Sequence, residues 1–256
     1  MIWLALSFLV TALLYSSVGF GGGSTYTALL VLADTDYRLV PVVSLSCNLV
    51  VVLGGTLSFW RAGLLKRDLA LPLALASVPM AWLGGVTPVD REMFLALLGS
   101  ALVASGFFLL LDSRLPVRQG APIRTGLRMW IFGPVAGAGL GFLSGLVGIG
   151  GGIFLAPLLH LGRVDSAKVV AATASFFILV NSAAGLAGQW MKLGAQPIES
   201  GWASYSWLLL AVVVGGQIGN RAGISLLSAR TIRRLTGVLV VFVGARILWI
   251  WLSGAL

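Results

Sequence analysis

The chain has 256 residues, 58% of them hydrophobic and only 10% charged, with a mean hydropathy of +1.01. A water-soluble domain does not sustain that balance, and apolar stretches able to cross a hydrocarbon core of about 30 Å recur throughout, so the sequence reads as an all-α integral membrane protein. The formal net charge of +9 does not call for nucleic acid, because the bases fall in short loops between apolar runs, where orientation in the bilayer explains them.

The first apolar region, 2–33, opens with IWLALSFLVTALL, which looks like the apolar core of a secretory signal. It lacks a basic start and a small-residue cleavage site, and a counterpart recurs at 131–147, so it is expected to stay in the mature protein. The run VGFGGGS at 18–24 interrupts it. Full spans are expected at 39–60, 69–86 and 93–111. A second interrupted region, 128–161, carries VGIGGGI at 147–153, and spans at 168–190, 203–225 and 231–252 complete the chain.

The two halves match. Setting Gly19, Gly21, Gly22 and Gly23 on Gly148, Gly150, Gly151 and Gly152 aligns Ser44 with Thr173 and Ser46 with Ser175. After two insertions Gly84 falls on Gly219, Gly99 on Gly237 and Gly106 on Gly244. The reading is an internal duplication: a first repeat at 1–111, a connecting loop at 112–127 and a second repeat at 128–256.

Loop bases set the orientation. Loop 61–68 holds Arg61, Lys66 and Arg67 against Lys192 alone in its partner 190–203, whereas 87–92 holds only Arg91 against Arg221, Arg230, Arg233 and Arg234 in 221–234. The bias reverses between halves, so the repeats are expected to be inverted, with 61–68, 112–128, 163–168 and 221–234 cytoplasmic and both termini outside. Because 112–128 and 163–168 then share a side, the chain between them enters the membrane, bends at Gly148–Gly152 and returns. Residues 1–33 do the same at Gly19–Gly23. Each repeat is thus a glycine-broken re-entrant hairpin plus three transmembrane helices. The segments after the bends, 24–33 and 153–161, hold about ten residues, roughly 15 Å of helix or half a bilayer. In the competing arrangement all eight apolar regions cross once, but the loop bases then divide evenly between the two sides.

Irregular backbone at membrane depth is tolerated only where it is buried in protein or lines a polar cavity. A half-helix starting after the glycines turns its free N–H groups and positive dipole end toward the bend. The expected donors are Gly22, Gly23, Ser24 and Thr25 in the first repeat and Gly151, Gly152, Ile153 and Phe154 in the second, with Gly21 and Gly150 letting a ligand approach the main chain. Two such ends meeting near the midplane make an anion site that needs no arginine inside the membrane. The plainer reading is that glycines let helices pack closely. The next span of each repeat adds Ser44, Ser46 and Asn48, then Thr173, Ser175 and Asn181, as cavity-lining candidates, against the alternative that such groups only bond a backbone carbonyl. Gln217 and Asn220 are weaker candidates, since their counterparts Trp82 and Gly85 differ.

Absences narrow the function. The eight acids fall in loops or span ends, which disfavours a proton relay through a buried carboxylate. His160 reads as an interfacial histidine, and Arg246 as a base that snorkels from the last span. Cys47 is the only cysteine, so no disulfide or thiolate cluster is expected. The lysine and hydroxyl of a GxxxxGK[ST] nucleotide loop are missing from both glycine clusters. With no Ser-His-Asp set and no H-E-x-x-H, neither enzyme nor cofactor or metal is expected.

The paired GxGGG bends, each opening a short apolar segment followed by a Ser/Thr-bearing helix, resemble the TauE/SafE family of sulfite exporters along essentially the whole chain. GIGGGIFLAPLL followed by AATAS fits the family pattern closely, while GFGGGSTYTALL followed by VVSLS departs from it with Ala28 where the second copy has Pro157. The resemblance implies transport of small sulfur-containing anions, such as sulfite or organosulfonates, across the bacterial cytoplasmic membrane. The expected protein is a secondary carrier or facilitator whose partners are that anion and the lipid bilayer, with a homodimer compatible with the sequence. An anion channel using the same hairpins, or a scaffold subunit with packing glycines only, are the alternatives.

Overall fold

The structure, a computed structural model, describes residues 2–17, 19–114, 126–162, 164–194, 202–222 and 229–253. Much of the expected connecting loop 112–127, and loop positions 195–200 and 223–228, lie outside the described residues. Among the described residues all regular structure is helical: α1 (Ile2–Ser17), α2 (Gly23–Leu32), α3 (Leu39–Arg61), α4 (Arg67–Val86), α5 (Arg91–Arg114), α6 (Gly126–Val147), α7 (Gly152–Leu161), α8 (Ala167–Leu193), a 3₁₀ turn at Trp202–Tyr205, α9 (Ser206–Ala222) and α10 (Ala229–Ser253).

Local sequence explains where these helices stop. Proline at the third position of α3 sits in the first turn, where its missing N–H costs nothing. The same helix closes at Gly63, whose φ is 68°, with the Leu64 amide reaching back to the Phe59 carbonyl at 3.0 Å. Helix α4 ends at Val86, where Thr87 is extended ahead of Pro88. Helix α8 begins at Ser166, whose hydroxyl accepts the Val169 amide at 3.4 Å.

Among the described residues six helices are long and apolar enough to cross a membrane: Leu39–Arg61, Arg67–Val86, Arg91–Asp112, Trp130–Val147, Ala167–Leu193 and Arg230–Ser253. Two boundaries differ from the sequence reading. The span expected at 203–225 begins as a 3₁₀ turn, and its α-helix has only 17 residues. The arm before the second glycine cluster, α6, has 22 residues and reaches span length by itself, whereas α1, before the first, has 16.

Large side chains such as Phe8, Tyr26, Phe94 and Phe177 fill the interior, while Val135, Leu210, Trp249 and Leu252 are at least 70% exposed on the outer surface. That is the arrangement of a bundle solvated by lipid, in which apolar burial does little to hold helices together and close backbone packing matters more. Helix α6 rests on α4 through Gly137, Gly141 and Gly145, where an added Cβ would run into the main chain at Leu73, Ser77 and Ala81. Helix α9 rests on α1 in the same way, with Gly215 against Leu9 and Gly219 against Leu13, while Gly84 of α4 lies on the Phe142 carbonyl of α6. Gly99 and Gly106 of α5 lie on the carbonyls of Gly244 and Gly237 of α10. The principal pairings are α4 with α6, α5 with α10, α4 with α8, α1 with α9 and α3 with α8.

Polar contacts within the last or first turns of the helices and in their connections tie the bundle together. Lys66 and Asp165 form an ion pair at 2.7 Å. Arg233 meets Asp112 at 2.8 Å and His160 at 3.4 Å. Lys192 donates to the Thr87 carbonyl at 3.4 Å.

Candidate functional site

Both breaks in the helices are built from left-handed backbone. At the first, Gly19 has φ 81° and Gly22 φ 85°; at the second, Gly148, Gly150 and Gly151 have φ 83°, 84° and 74°. A residue with a Cβ costs roughly 1–2 kcal/mol in this region, which is why the clusters are glycine. The chain leaves α1 with the Phe20 amide on the Tyr15 carbonyl at 2.9 Å and re-enters helix with the Tyr26 amide on the Gly22 carbonyl at 3.0 Å. The amides of Gly23, Ser24 and Thr25 have no backbone acceptor among the described residues. At the second break Gly152 and Ile153 keep free amides, but the Phe154 amide, expected to be a free donor, turns back to the Gly151 carbonyl at 3.2 Å because α7 starts with a tight turn.

Asn48 lies between the two breaks. Its Nδ2 donates to the Ile149 carbonyl at 3.2 Å, which fixes the orientation of its amide. A Cβ added to Gly21 or Gly23 would overlap Asn48, and one added to Gly150 would sit 2.6 Å from its Nδ2. Its Oδ1 is buried and has no partner. One side chain of α3 thus reaches the irregular backbone of both breaks.

A partly open cavity, about 530 Å³ with the open solvent at its mouth included, lies against the first break. Gly21, Gly22, Gly23, Ser24 and Asn48 line it, with Tyr15 and Phe20 from the first break, Ile149 and Ile153 from the second, and Ile232, Arg233 and Thr236 from α10. The Tyr15 hydroxyl ties the wall together, meeting Thr25 Oγ1 at 2.9 Å and donating to Thr236 Oγ1.

The remaining candidates are engaged elsewhere. Ser44 donates to the Gly23 carbonyl at 3.0 Å and accepts from Thr27 at 2.9 Å, so it braces the start of α2. Ser46 and Thr173 bond the carbonyls one turn back, Val42 at 2.7 Å and Val169 at 2.9 Å. Ser175 pairs with Thr56 at 3.0 Å, which links α8 to α3. Asn181 donates to Ser77 at 3.1 Å and to the Phe177 carbonyl at 2.8 Å. None of these hydroxyls or Asn181, and none of Thr25, Gly150, Gly151 and Gly152, lines the cavity in this conformation.

Sequence reasoning missed Tyr15, Arg233 and Thr236. Arg233 was read as a loop base, and the site was expected to need no arginine; the structure puts this base in the cavity wall. Asp112, expected at a span end, is there but only 5% exposed, because Arg233 covers it. The available signal was the spacing of Ile232, Arg233 and Thr236, which puts them on one helical face. Among the described residues no three His, Cys, Asp or Glu side chains come together as a metal site.

The family model described as "Sulfite exporter TauE/SafE" matches residues 4–247. A probable membrane transporter protein of Sinorhizobium fredii, y4hK, is 32% identical over 97% of this chain and 98% of its own. A Bacillus subtilis protein, also described as a probable membrane transporter, YunE, is 23% identical over 94% of each. An Arabidopsis thaliana protein described as sulfite exporter TauE/SafE family protein 5 is 34% identical over 43% of this chain and 25% of its own length. No solved structure matches the chain.

Proposed function

The chain belongs to the TauE/SafE family of membrane transporters, and from that premise we propose that it is a carrier for a small sulfur-containing anion, sulfite or an organosulfonate, held near the membrane midplane by backbone N–H groups at the first helix break, while the glycines of the second break, expected to share the anion, stand outside the cavity wall in this conformation. The observation that carries this reading is the set of free amides at Gly23, Ser24 and Thr25, opening α2 beside a cavity that Asn48 and Ser24 also line. A helix N-terminus of this kind offers donors and about half a positive charge to an anion without a desolvated side-chain cation.

The re-entrant, inverted arrangement is part of the proposal. Three contacts support it: Lys66 with Asp165, Asp112 with Arg233, and Lys192 with Thr87. If all eight apolar regions crossed once, each of these pairs would lie on opposite faces of the bilayer. Glycines equated in sequence also have equated neighbours: Gly84 meets Phe142 and Gly219 meets Leu13, at corresponding places in α6 and α1. Because α4 packs on α6 and α1 on α9, the bodies that rock during alternating access are drawn from both repeats.

Thermal stability of the detergent-purified protein against sulfite, thiosulfate, sulfate, taurine, sulfoacetate and chloride at matched ionic strength tests the proposal. Stabilisation by one or two sulfur anions, lost in Gly23→Ala, is the expected result. No shift with any anion would return the glycines to a packing role.

A further inference from the structure

We propose that Arg233 is the counter-charge of the transported anion, and that the Asp112 carboxylate competes with the anion for it. This rests on the anion site proposed above and adds a specificity-determining residue to it.

Arg233 stands near the start of α10, the helix that packs against both α5 and α2. It lines the same cavity as Gly22, Gly23 and Ser24. Its Nη1 donates to Asp112 Oδ2 at 2.8 Å and its Nη2 lies 3.4 Å from His160 Nε2. These contacts use two of the five N–H groups of a guanidinium, whose planar fork matches an oxyanion as well as it matches a carboxylate. The side chains of Arg233 and Asp112 are 16% and 4% exposed. A pair this buried recovers little more than its own desolvation cost, so its presence is weak evidence of a stabilising role.

The chemistry gives the pair a use. Backbone amides from the first repeat meet one side of an anion, and the guanidinium from the second meets the other. Without the anion the guanidinium is held by Asp112, which keeps a lone positive charge out of a mostly apolar cavity. When the anion enters, it shares or takes over that partner. Selectivity follows: a neutral solute gains nothing from Arg233, and a cation is repelled by it. Release follows as well, since Asp112 stands ready to reclaim the guanidinium.

The test is sulfite affinity, by calorimetric titration of the purified full-length chain, in Asp112→Asn, Arg233→Gln, Arg233→Lys and the double variant Asp112→Asn/Arg233→Gln. Arg233→Gln is expected to weaken sulfite binding about tenfold or more, with partial recovery in Arg233→Lys. Asp112→Asn, which removes the competitor, is expected to tighten binding several-fold. The double variant, in which the buried pair is neutral, should bind as weakly as Arg233→Gln while melting close to wild type. Equal weakening by Asp112→Asn and Arg233→Gln, or sulfite binding by the double variant at wild-type strength, overturns the inference and makes the pair a structural clasp. Failure of wild type and Asp112→Asn to bind sulfite or any other sulfur anion would overturn the proposed function together with it.

Discussion

The two helix breaks share a glycine pattern and a left-handed backbone, yet they are differently surrounded. In the register that aligns Ser44 with Thr173, Asn48 corresponds to Phe177. Asn48 puts an amide between the breaks and beside the cavity, whereas Phe177 packs on the second break, 2.9 Å from where a Cβ on Gly151 would stand. With that polar-to-aromatic exchange, the glycines of the first break line the cavity and those of the second do not. A duplicated motif fixes the backbone, and its neighbours decide what that backbone does.

Substitutions at the breaks test this asymmetry. The largest effect is expected at Gly23→Ala, because its Cβ would overlap both Asn48 and the Ile149 carbonyl; loss of sulfite-dependent stabilisation and a markedly lower melting temperature should appear together. Next comes Asn48→Asp, which sets a carboxylate against the proposed anion and removes the donor to Ile149. Titration should then give at least tenfold weaker binding. Gly151→Ala meets Phe177 at a φ of 74° and should lower stability by about 1–2 kcal/mol in denaturant or thermal unfolding, with sulfite affinity changed far less than in Gly23→Ala. If it abolished binding equally, the two breaks would be equivalent in function and the difference would belong to this conformation alone. The smallest effects should come from the matched hydroxyls. Ser44→Ala loses the brace on Gly23 and about 1 kcal/mol, while Thr173→Ala loses only a bond within its own helix and stays within about 0.5 kcal/mol. Topology can be checked independently: cysteines at 116 and 226 should label from the cytoplasm and one at 196 from outside, and outside labelling of 116 would sink the hairpins.

The helices and both breaks were legible because apolar length and glycine clusters are local signals. The hydroxyls were legible as polar residues in apolar runs, but not in their roles. Whether Ser44 faces a cavity or the Gly23 carbonyl depends on where α2 packs, and Ser44 and Thr173 look alike from sequence. Asn48 was singled out without its reach to Ile149, which is distant in the chain. Arg233 was hidden by its neighbours: among Arg230 and Arg234 it resembles one more orienting base, and its partner Asp112 is distant in the chain.

The crossed pairing of helices also sets an order of assembly. Helix α1 precedes the other described helices, yet the glycines that fit over its backbone at Leu9 and Leu13 are Gly215 and Gly219 of α9, far later in the chain. Until then α1 holds a place in the membrane with its principal contact surface uncovered, and at 16 residues it is too short to be anchored by length alone. A ribosome that stalls before residue 206 therefore leaves an incomplete bundle with that surface bare, a natural target for membrane quality control, and the bundle closes only when α9 and then α10, the partner of α5, have arrived.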